Sequence, residues 1–252
     1  MVHFVGAGPG APDLITMRGA HLLRNAGTVV YAGSLVNPAL LSLCPDGCTV
    51  YNSAEMTLEQ VVDVLVQAEG EGKSPVRLHT GDPSLYGAIR EQMDALDALN
   101  VPYDVIPGVS SLCAAAAALP GEYTLPGITQ SVIITRMAGR TSVPQQESVA
   151  NLAEHGCSMV VFLSAGMLPE LQSALLKGAY TAETPAALIY KASWPEERVC
   201  RCTLGTLAQT GHLAGITKTA LVLVGEFLRM EPAPRSRLYD ASFSTGYREA
   251  EP

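Results

Sequence analysis

Two glycine-rich turns, each directly behind a short apolar run, constrain this chain more than any other feature. The first is Gly6-Ala7-Gly8-Pro9-Gly10-Ala11-Pro12-Asp13, after Val2 to Val5. The second is His79-Thr80-Gly81-Asp82-Pro83-Ser84-Leu85-Tyr86-Gly87, after Val76-Arg77-Leu78. Glycine tolerates positive φ and lets backbone come close to a ligand. In open α/β sheets, ligands sit in the crevice outside the carboxyl ends of strands. Two such turns in one half of a chain predict one ligand held between two loops.

A dinucleotide reading of the first turn fails. Gly6, Gly8 and Ala11 can be laid onto G-x-G-x-x-G/A, but that fingerprint needs an acid roughly 20 positions later for a ribose hydroxyl. No Asp or Glu lies between Asp13 and Asp46. Pro9 and Pro12 are poor openings for a long helix in a phosphate loop. A Walker reading of Gly72-Lys73-Ser74 fails as well, because Gln67 stands where the first glycine belongs and the tripeptide follows a helical segment. Gly72 reads as a helix-ending glycine.

Strand and helix patterns alternate through the first half. Helices are expected over Leu14–Asn25, Thr57–Gly70 with Thr57 as N-cap, Tyr86–Leu99 and Cys113–Ala118, and strands at Thr28–Tyr31 and Tyr103–Ile106. In the helix after Thr57, the apolar residues Leu58, Val61, Val62 and Leu65 recur at helical spacing. This alternation implies a mostly parallel sheet covered on both faces. Pro, Gly, Glu and Tyr around 119–127 mark a boundary. A second series follows, with strands at Ser131–Thr135, Ser158–Leu163 and Pro185–Tyr190. A further strand at Arg198–Leu204 is expected to pair with Ala220–Val224, and helices are expected near Gln145–His155 and Leu168–Lys177. The expectation is an α/β protein with domains at 1–118 and 119–230 and a surface tail at 231–252.

The 252 residues are 48% hydrophobic, enough for a sizeable core, and the formal charge of −8 argues against general nucleic-acid binding. No apolar run approaches the roughly 18 residues of a membrane span, no signal peptide is apparent, and a cytoplasmic location is expected. The cysteines Cys44, Cys48, Cys113, Cys157, Cys200 and Cys202 lack zinc-site spacing and read as buried, reduced core residues. No protein-bound metal is expected.

The chain resembles the tetrapyrrole methylases over nearly its whole length. The resemblance rests on Gly6 to Thr16, Gly81-Asp82-Pro83, Pro107-Gly108-Val109-Ser110-Ser111 and the loop from Thr135-Arg136 to Thr141. Tyr31-Ala32-Gly33-Ser34-Leu35-Val36, Ala192-Ser193-Trp194-Pro195 and Leu238-Tyr239-Asp240 look like a branch that methylates carbon 11 of a corrin precursor. Ala32 stands where the uroporphyrinogen-III methylases have an acid, and Tyr51-Asn52-Ser53-Ala54 stands where they have a Gly-Lys-Arg segment.

The resemblance implies two α/β domains with a cofactor cleft between them, S-adenosyl-L-methionine as methyl donor, S-adenosyl-L-homocysteine as product, a tetrapyrrole substrate and a homodimer. It carries donor-binding roles onto Pro9, Thr80, Gly81, Asp82, Leu85, Ser110, Ser111, Leu163 and Ala192. Asp82 reads equally as a turn cap, Ser110 as a helix cap and Leu163 as core. The macrocycle carries many carboxylates while the protein is acidic, so local cations must offset repulsion. Arg136 and Arg140 are the first candidates, with Lys191, Arg198 and Arg18 behind them. Trp194 is expected either over the macrocycle or closing the core. No general base is identified, and the catalytic residues are unknown. Methylation at another ring position, such as carbon 17 or 20, and non-catalytic binding of a small molecule stay open.

Overall fold

The computed structural model describes residues 1–229 and 236–250. By internal contact the chain divides into two compact units. One is Met1–Ala115 with Lys191–Glu197; the other is Ala116–Tyr190 with the residues from Arg198 onward. The division at 115/116 falls inside a helix, three residues before the expected 118/119 boundary. Segment 191–197, expected in the second domain, clusters with the first. Of the expected tail, residues 231–235 and 251–252 lie outside the described residues, and 236–250 are mostly exposed.

The first unit runs β1 (Val2–Gly6), α1 (Met17–Arg24), β2 (Thr28–Tyr31), β3 (Thr49–Asn52), α2 (Leu58–Gly70), β4 (Pro75–His79), α3 (Ile89–Ala98), β5 (Tyr103–Ile106) and α4 (Ser111–Ala118). Its five-stranded sheet has the order β3-β2-β4-β1-β5, and every described pairing is parallel. Alternate side chains serve opposite faces, the period-2 rule of a strand. Val5, Val29, Val76 and Leu78 pack with Leu23 of α1 and with Leu40. Phe4 and Val30 pack with Val61 and Leu65 of α2 and Leu96 of α3.

Capping sets the helix ends. Thr57 and Gln60 form a reciprocal capping box that opens α2, and Gly72, at φ +70°, follows its close. α1 starts at Met17 rather than Leu14, because Pro12 opens a 3-10 turn and Thr16 then caps the helix. α3 starts at Ile89 rather than Tyr86, because Tyr86 and Ala88 are left-handed.

The second unit contains β6 (Val132–Arg136), α5 (Val149–Ala153), β7 (Ser158–Phe162), α6 (Leu168–Leu175), β8 (Pro185–Tyr190), β9 (Arg198–Thr203), α7 (Leu207–Leu213) and β10 (Ala220–Val224). Its sheet has the order β6-β7-β10-β8-β9, in which β6 and β7 are parallel and the other pairs antiparallel. Met159, Val161, Leu188 and Val222 meet Leu171, Leu175 and Leu207 in its core.

Three expectations are corrected here. β9 pairs with β8 and not with Ala220–Val224. A short connection brings consecutive antiparallel strands together, and β10 lies between β7 and β8 instead. The helix expected at 145–155 breaks into a 3-10 turn, Gln145–Glu147, and a short α5 capped by Ser148. The cysteines are free but not fully buried: five are half-buried and Cys113 is exposed. Cys200 and Cys202 lie on the edge strand β9, where a side chain meets only one neighbouring strand.

Candidate active site

In the first sheet the connection after β1 runs to β2, whereas the connection after β4 crosses β1 to reach β5. The chain therefore departs in opposite directions from two adjacent strands, the arrangement that opens a ligand crevice at their carboxyl ends. The two glycine turns lie at this point. Gly8 and Gly81 form a bridge: Gly81 N donates to the Gly8 carbonyl (2.8 Å) and Gly8 N to the Gly81 carbonyl (3.3 Å). Ala7 N donates to the His79 carbonyl at 2.7 Å. Behind them the loop after β5 presses in. A Cβ on Gly6 would lie 2.7 Å from the Gly81 carbonyl oxygen, and one on Gly108 would lie 2.8 Å from Gly6 Cα.

The first turn is clamped from outside. The Trp194 indole Nε1 donates to the Pro9 carbonyl (3.0 Å), Asn37 Nδ2 donates to the Gly10 carbonyl (2.8 Å), and Ala11 N donates to Ser193 Oγ (3.0 Å). The indole lies where a Gly10 side chain would be. Trp194 thus holds the first glycine turn. Asn37 has no part in the sequence reading, and Ser193 enters it only within Ala192-Ser193-Trp194-Pro195. Asn37-Pro38 carries an N-cap signal, and Asn37 does cap the following 3-10 helix; Ser193 carries no local signal at all.

The second turn is pinned by Asp82 and Thr80. One Asp82 carboxylate oxygen accepts from Ser84 N and Oγ, and the other accepts from Gly108 N at 2.9 Å. Burial acts to raise this carboxyl pKa, but the hydrogen bonds outweigh it and hold the group below its ordinary value. Both oxygens therefore serve the loops. Thr80 Oγ1 donates to the Leu35 carbonyl at 2.8 Å, joining the loops after β4 and β2. Leu85 is half-buried, with its N–H on the Asp82 carbonyl (3.2 Å). Ser110 is buried, its hydroxyl 3.5 Å from Leu112 N at the start of α4; Ser111 is half-buried, and Ala192 is buried.

The donor set suits a sulfonium-bearing zwitterion better than a phosphate. Loops 7–16, 32–36, 80–88 and 107–111 carry two carboxylates, Asp13 and Asp82, and no Lys or Arg. They offer backbone, hydroxyls and small apolar side chains held at close approach.

Beneath the second turn, Arg77 and His79 point to the α2–α3 side of β4. Arg77 donates to Gln92 Oε1 (2.9 Å) and to the Val30 carbonyl (3.1 Å), and burial pushes its pKa down to about 10. His79 is 3% exposed, stacks on Phe4, and its Nε2 has no hydrogen-bond partner among the described residues. Burial, and then the charge of Arg77, push its pKa down to about 3.

The second unit holds the remaining candidates. Leu163, just past β7, is left-handed (φ 53°) and 63% exposed, so it is not core. A bulky residue in that conformation stores strain of order 1–3 kcal/mol, a hallmark of ligand-facing sites. The neighbouring Ser164 holds the bend by donating to the Phe162 carbonyl (2.7 Å) and accepting from Met137 N (2.9 Å). Arg136 binds its own loop: its guanidinium donates to the carbonyls of Met137 (3.1 Å), Thr141 (3.2 Å) and Ser142 (2.7 Å). Arg140, at the exposed tip, has no hydrogen-bond or ion-pair partner among the described residues. Arg198 lies over Tyr190 and donates to the Ala214 carbonyl (2.8 Å). In the first unit, Lys191 pairs with Glu196 (3.4 Å) and sits 5.0 Å from the Trp194 ring, while Arg18 is exposed on α1.

Residues 1–208 match the family model described as Tetrapyrrole (Corrin/Porphyrin) Methylases. The chain is 47% identical over 249 residues to a cobalt-precorrin-4 C(11)-methyltransferase of Methanocaldococcus jannaschii, covering 99% of this chain and 96% of that protein. It is 45% identical over 242 residues to a precorrin-4 C(11)-methyltransferase of Mycobacterium tuberculosis, covering 96% of each. Among solved structures, a cobalt precorrin-4 methyltransferase of cobalamin biosynthesis matches with a TM-score of 0.88 and 42% identity, over 90% of this chain and 95% of that one. A uroporphyrin-III C-methyl transferase from Thermus thermophilus, complexed with S-adenosyl homocysteine, matches with a TM-score of 0.75 and 28% identity, over 90% and 93%.

Proposed function

We propose a function from one premise: this chain belongs to the tetrapyrrole (corrin/porphyrin) methylase family. It is an S-adenosylmethionine-dependent methyltransferase that methylates carbon 11 of precorrin-4 or cobalt-precorrin-4 in the synthesis of cobalamin. The observation that carries this is end-to-end similarity to proteins bearing that C(11) name, well above the similarity to the uroporphyrin-III enzyme. Ala32 and the stretch Tyr51 to Ala54 support the same choice.

S-adenosylmethionine, when bound, supplies a methyl group already activated on a sulfonium. The chain's part is placement. Pro9, Thr80, Gly81, Asp82, Leu85, Ser110, Ser111 and Ala192 are assigned to donor binding, and the family resemblance gives Leu163 the same role. With the Asp82 carboxylate and the Thr80 hydroxyl occupied by the loops, these residues act mainly through backbone and shape. With the donor bound, these residues would hold its methyl carbon in line with an electron-rich ring carbon of the macrocycle; a C–C bond would form as the C–S bond breaks, the electron pair going to sulfur and one macrocycle proton going to solvent, so that charge balances. Alignment of this kind supplies up to about 7–11 kcal/mol in well-oriented reactions. Arg140 is assigned to the substrate carboxylates, where a guanidinium pairs bidentately; Arg136 supports it by shaping the loop. The protein is proposed to act as a cytoplasmic homodimer, and no helix among the described residues is long and apolar enough to cross a membrane.

Mass spectrometry of the protein incubated with S-adenosylmethionine and trimethylated precorrin intermediates, with and without cobalt, tests this reading. The expected product carries a fourth methyl that isotope labelling maps to carbon 11. Methylation at carbon 17 or 20 would move the assignment within the family. Donor binding without transfer to either substrate set would overturn the enzymatic reading.

A further inference from the structure

The connection between β8 and β9, Lys191–Glu197, links two strands of the second sheet yet belongs to the first unit. Its backbone departs from an ordinary hairpin loop. Lys191 (φ 47°) and Ser193 (φ 67°) are both left-handed without being glycine. Three contacts hold this shape: Ser193 N donates to Glu197 Oε2 (2.6 Å), Trp194 N to the Lys191 carbonyl (3.0 Å), and Glu197 N to the Trp194 carbonyl (3.0 Å). Conformations of this type persist where the surroundings over-determine them, and they cluster at functional sites. What this shape achieves is contact with the Pro9-Gly10-Ala11 turn. The indole covers Gly10 and its Nε1 takes the Pro9 carbonyl, while the Ser193 hydroxyl takes Ala11 N.

We infer that segment 191–197 is a strap that sets the donor-binding turn, with Trp194 and Ser193 as positioning residues for S-adenosylmethionine rather than macrocycle contacts. This rests on the function proposed above. The Trp194 donor is consumed by the turn, and the ring face toward Gly10 is covered. Gly10 is required because any side chain there would displace the indole.

The test combines calorimetry with S-adenosylhomocysteine and steady-state kinetics on Trp194→Phe, Ser193→Ala, Gly10→Ala and the Gly10→Ala/Trp194→Phe double variant. Trp194→Phe leaves an aromatic side chain but deletes the indole N–H and the hydrogen bond it makes, so Kd for S-adenosylhomocysteine is expected to rise at least about fivefold, the worth of one such bond. Ser193→Ala is the milder variant, with a smaller rise in the same direction. Gly10→Ala is expected to weaken binding more, and the double variant no further than Gly10→Ala alone, because the two sites act as one contact. The KM for the macrocycle is expected to stay constant throughout. A rise in macrocycle KM with unchanged Kd for S-adenosylhomocysteine would overturn the inference in favour of a substrate contact. A fall in Tm with both constants unchanged would reduce the strap to a structural element. Failure of the unaltered protein to bind S-adenosylhomocysteine would instead remove the family-based function, and the strap's role with it.

Discussion

The loops at the carboxyl ends of β1 and β4 and the loop behind β6 are held in opposite ways. In the first sheet, backbone is locked to backbone. Gly8 and Gly81 bridge, Gly6 and Gly108 touch with no room for a side chain, and Asp82 spends one oxygen on its own turn and the other on the loop after β5. In the second sheet, one side chain, Arg136, gathers three carbonyls of the loop that follows it and leaves Arg140 exposed at the tip. The first design suits a ligand read by backbone and shape. The second suits a ligand met by charge, where the carrier of that charge must keep some freedom.

The largest expected effect comes from breaking the backbone lock. Gly108→Ala puts a methyl group against the Gly81 carbonyl and the Gly6 backbone. Overpacking against backbone should cost about 3 kcal/mol of stability and abolish S-adenosylhomocysteine binding, read by denaturant unfolding and calorimetry. A fully stable variant with normal binding would break the contrast. Next comes the charged side. Arg140→Ala is expected to raise the macrocycle KM about tenfold, the loss of one charge-assisted contact, with unchanged stability and unchanged affinity for S-adenosylhomocysteine. An unchanged KM would remove Arg140 from the substrate.

The smallest effect sharpens the distinction between the loops and the sheet below them. His79 has a pKa of about 3 in the folded chain against an ordinary 6.5. The unfolded chain therefore binds a proton first as pH falls. The titration of His79 costs the fold nothing above about pH 6.5 and takes stability away as pH drops from there toward 3. His79→Leu removes both this proton uptake and a buried polar atom without a partner. It should flatten the fall in Tm over that range and raise stability near neutrality by about 1 kcal/mol. Donor affinity should not move.

The first sheet is legible in the sequence because its signals are local. Thr57 with Gln60 announces α2, the strand Tyr103–Ile106 matches residue for residue, and the glycine turns mark the strand ends. What is not legible is long-range. The stretch Ala192-Ser193-Trp194-Pro195 stands out in the sequence, but nothing local shows that Ser193 and Trp194 meet a turn more than 180 positions away. β9 carries an edge-strand pattern that fits β8 and β10 equally. An arginine after a strand reads the same whether it stands free or holds its own loop, so Arg136 and Arg140 look alike until the loop is folded. Leu163 has the residue type of core, and its exposure follows from a backbone angle that composition does not encode. α7 hides behind Thr210 and Gly211, weak helix formers whose helix is held by packing against Leu168 and Leu188.

Trp194 is the only tryptophan in the chain. Its indole N–H rests on the Pro9 carbonyl and its ring on Gly10. Light absorbed selectively by indole is therefore re-emitted from one address, the outer side of the first glycine turn. The protein carries its own optical probe, with no label to attach and no second emitter of its kind to subtract. Changes in that turn as a ligand arrives are expected to register as a shift in the colour and intensity of intrinsic fluorescence.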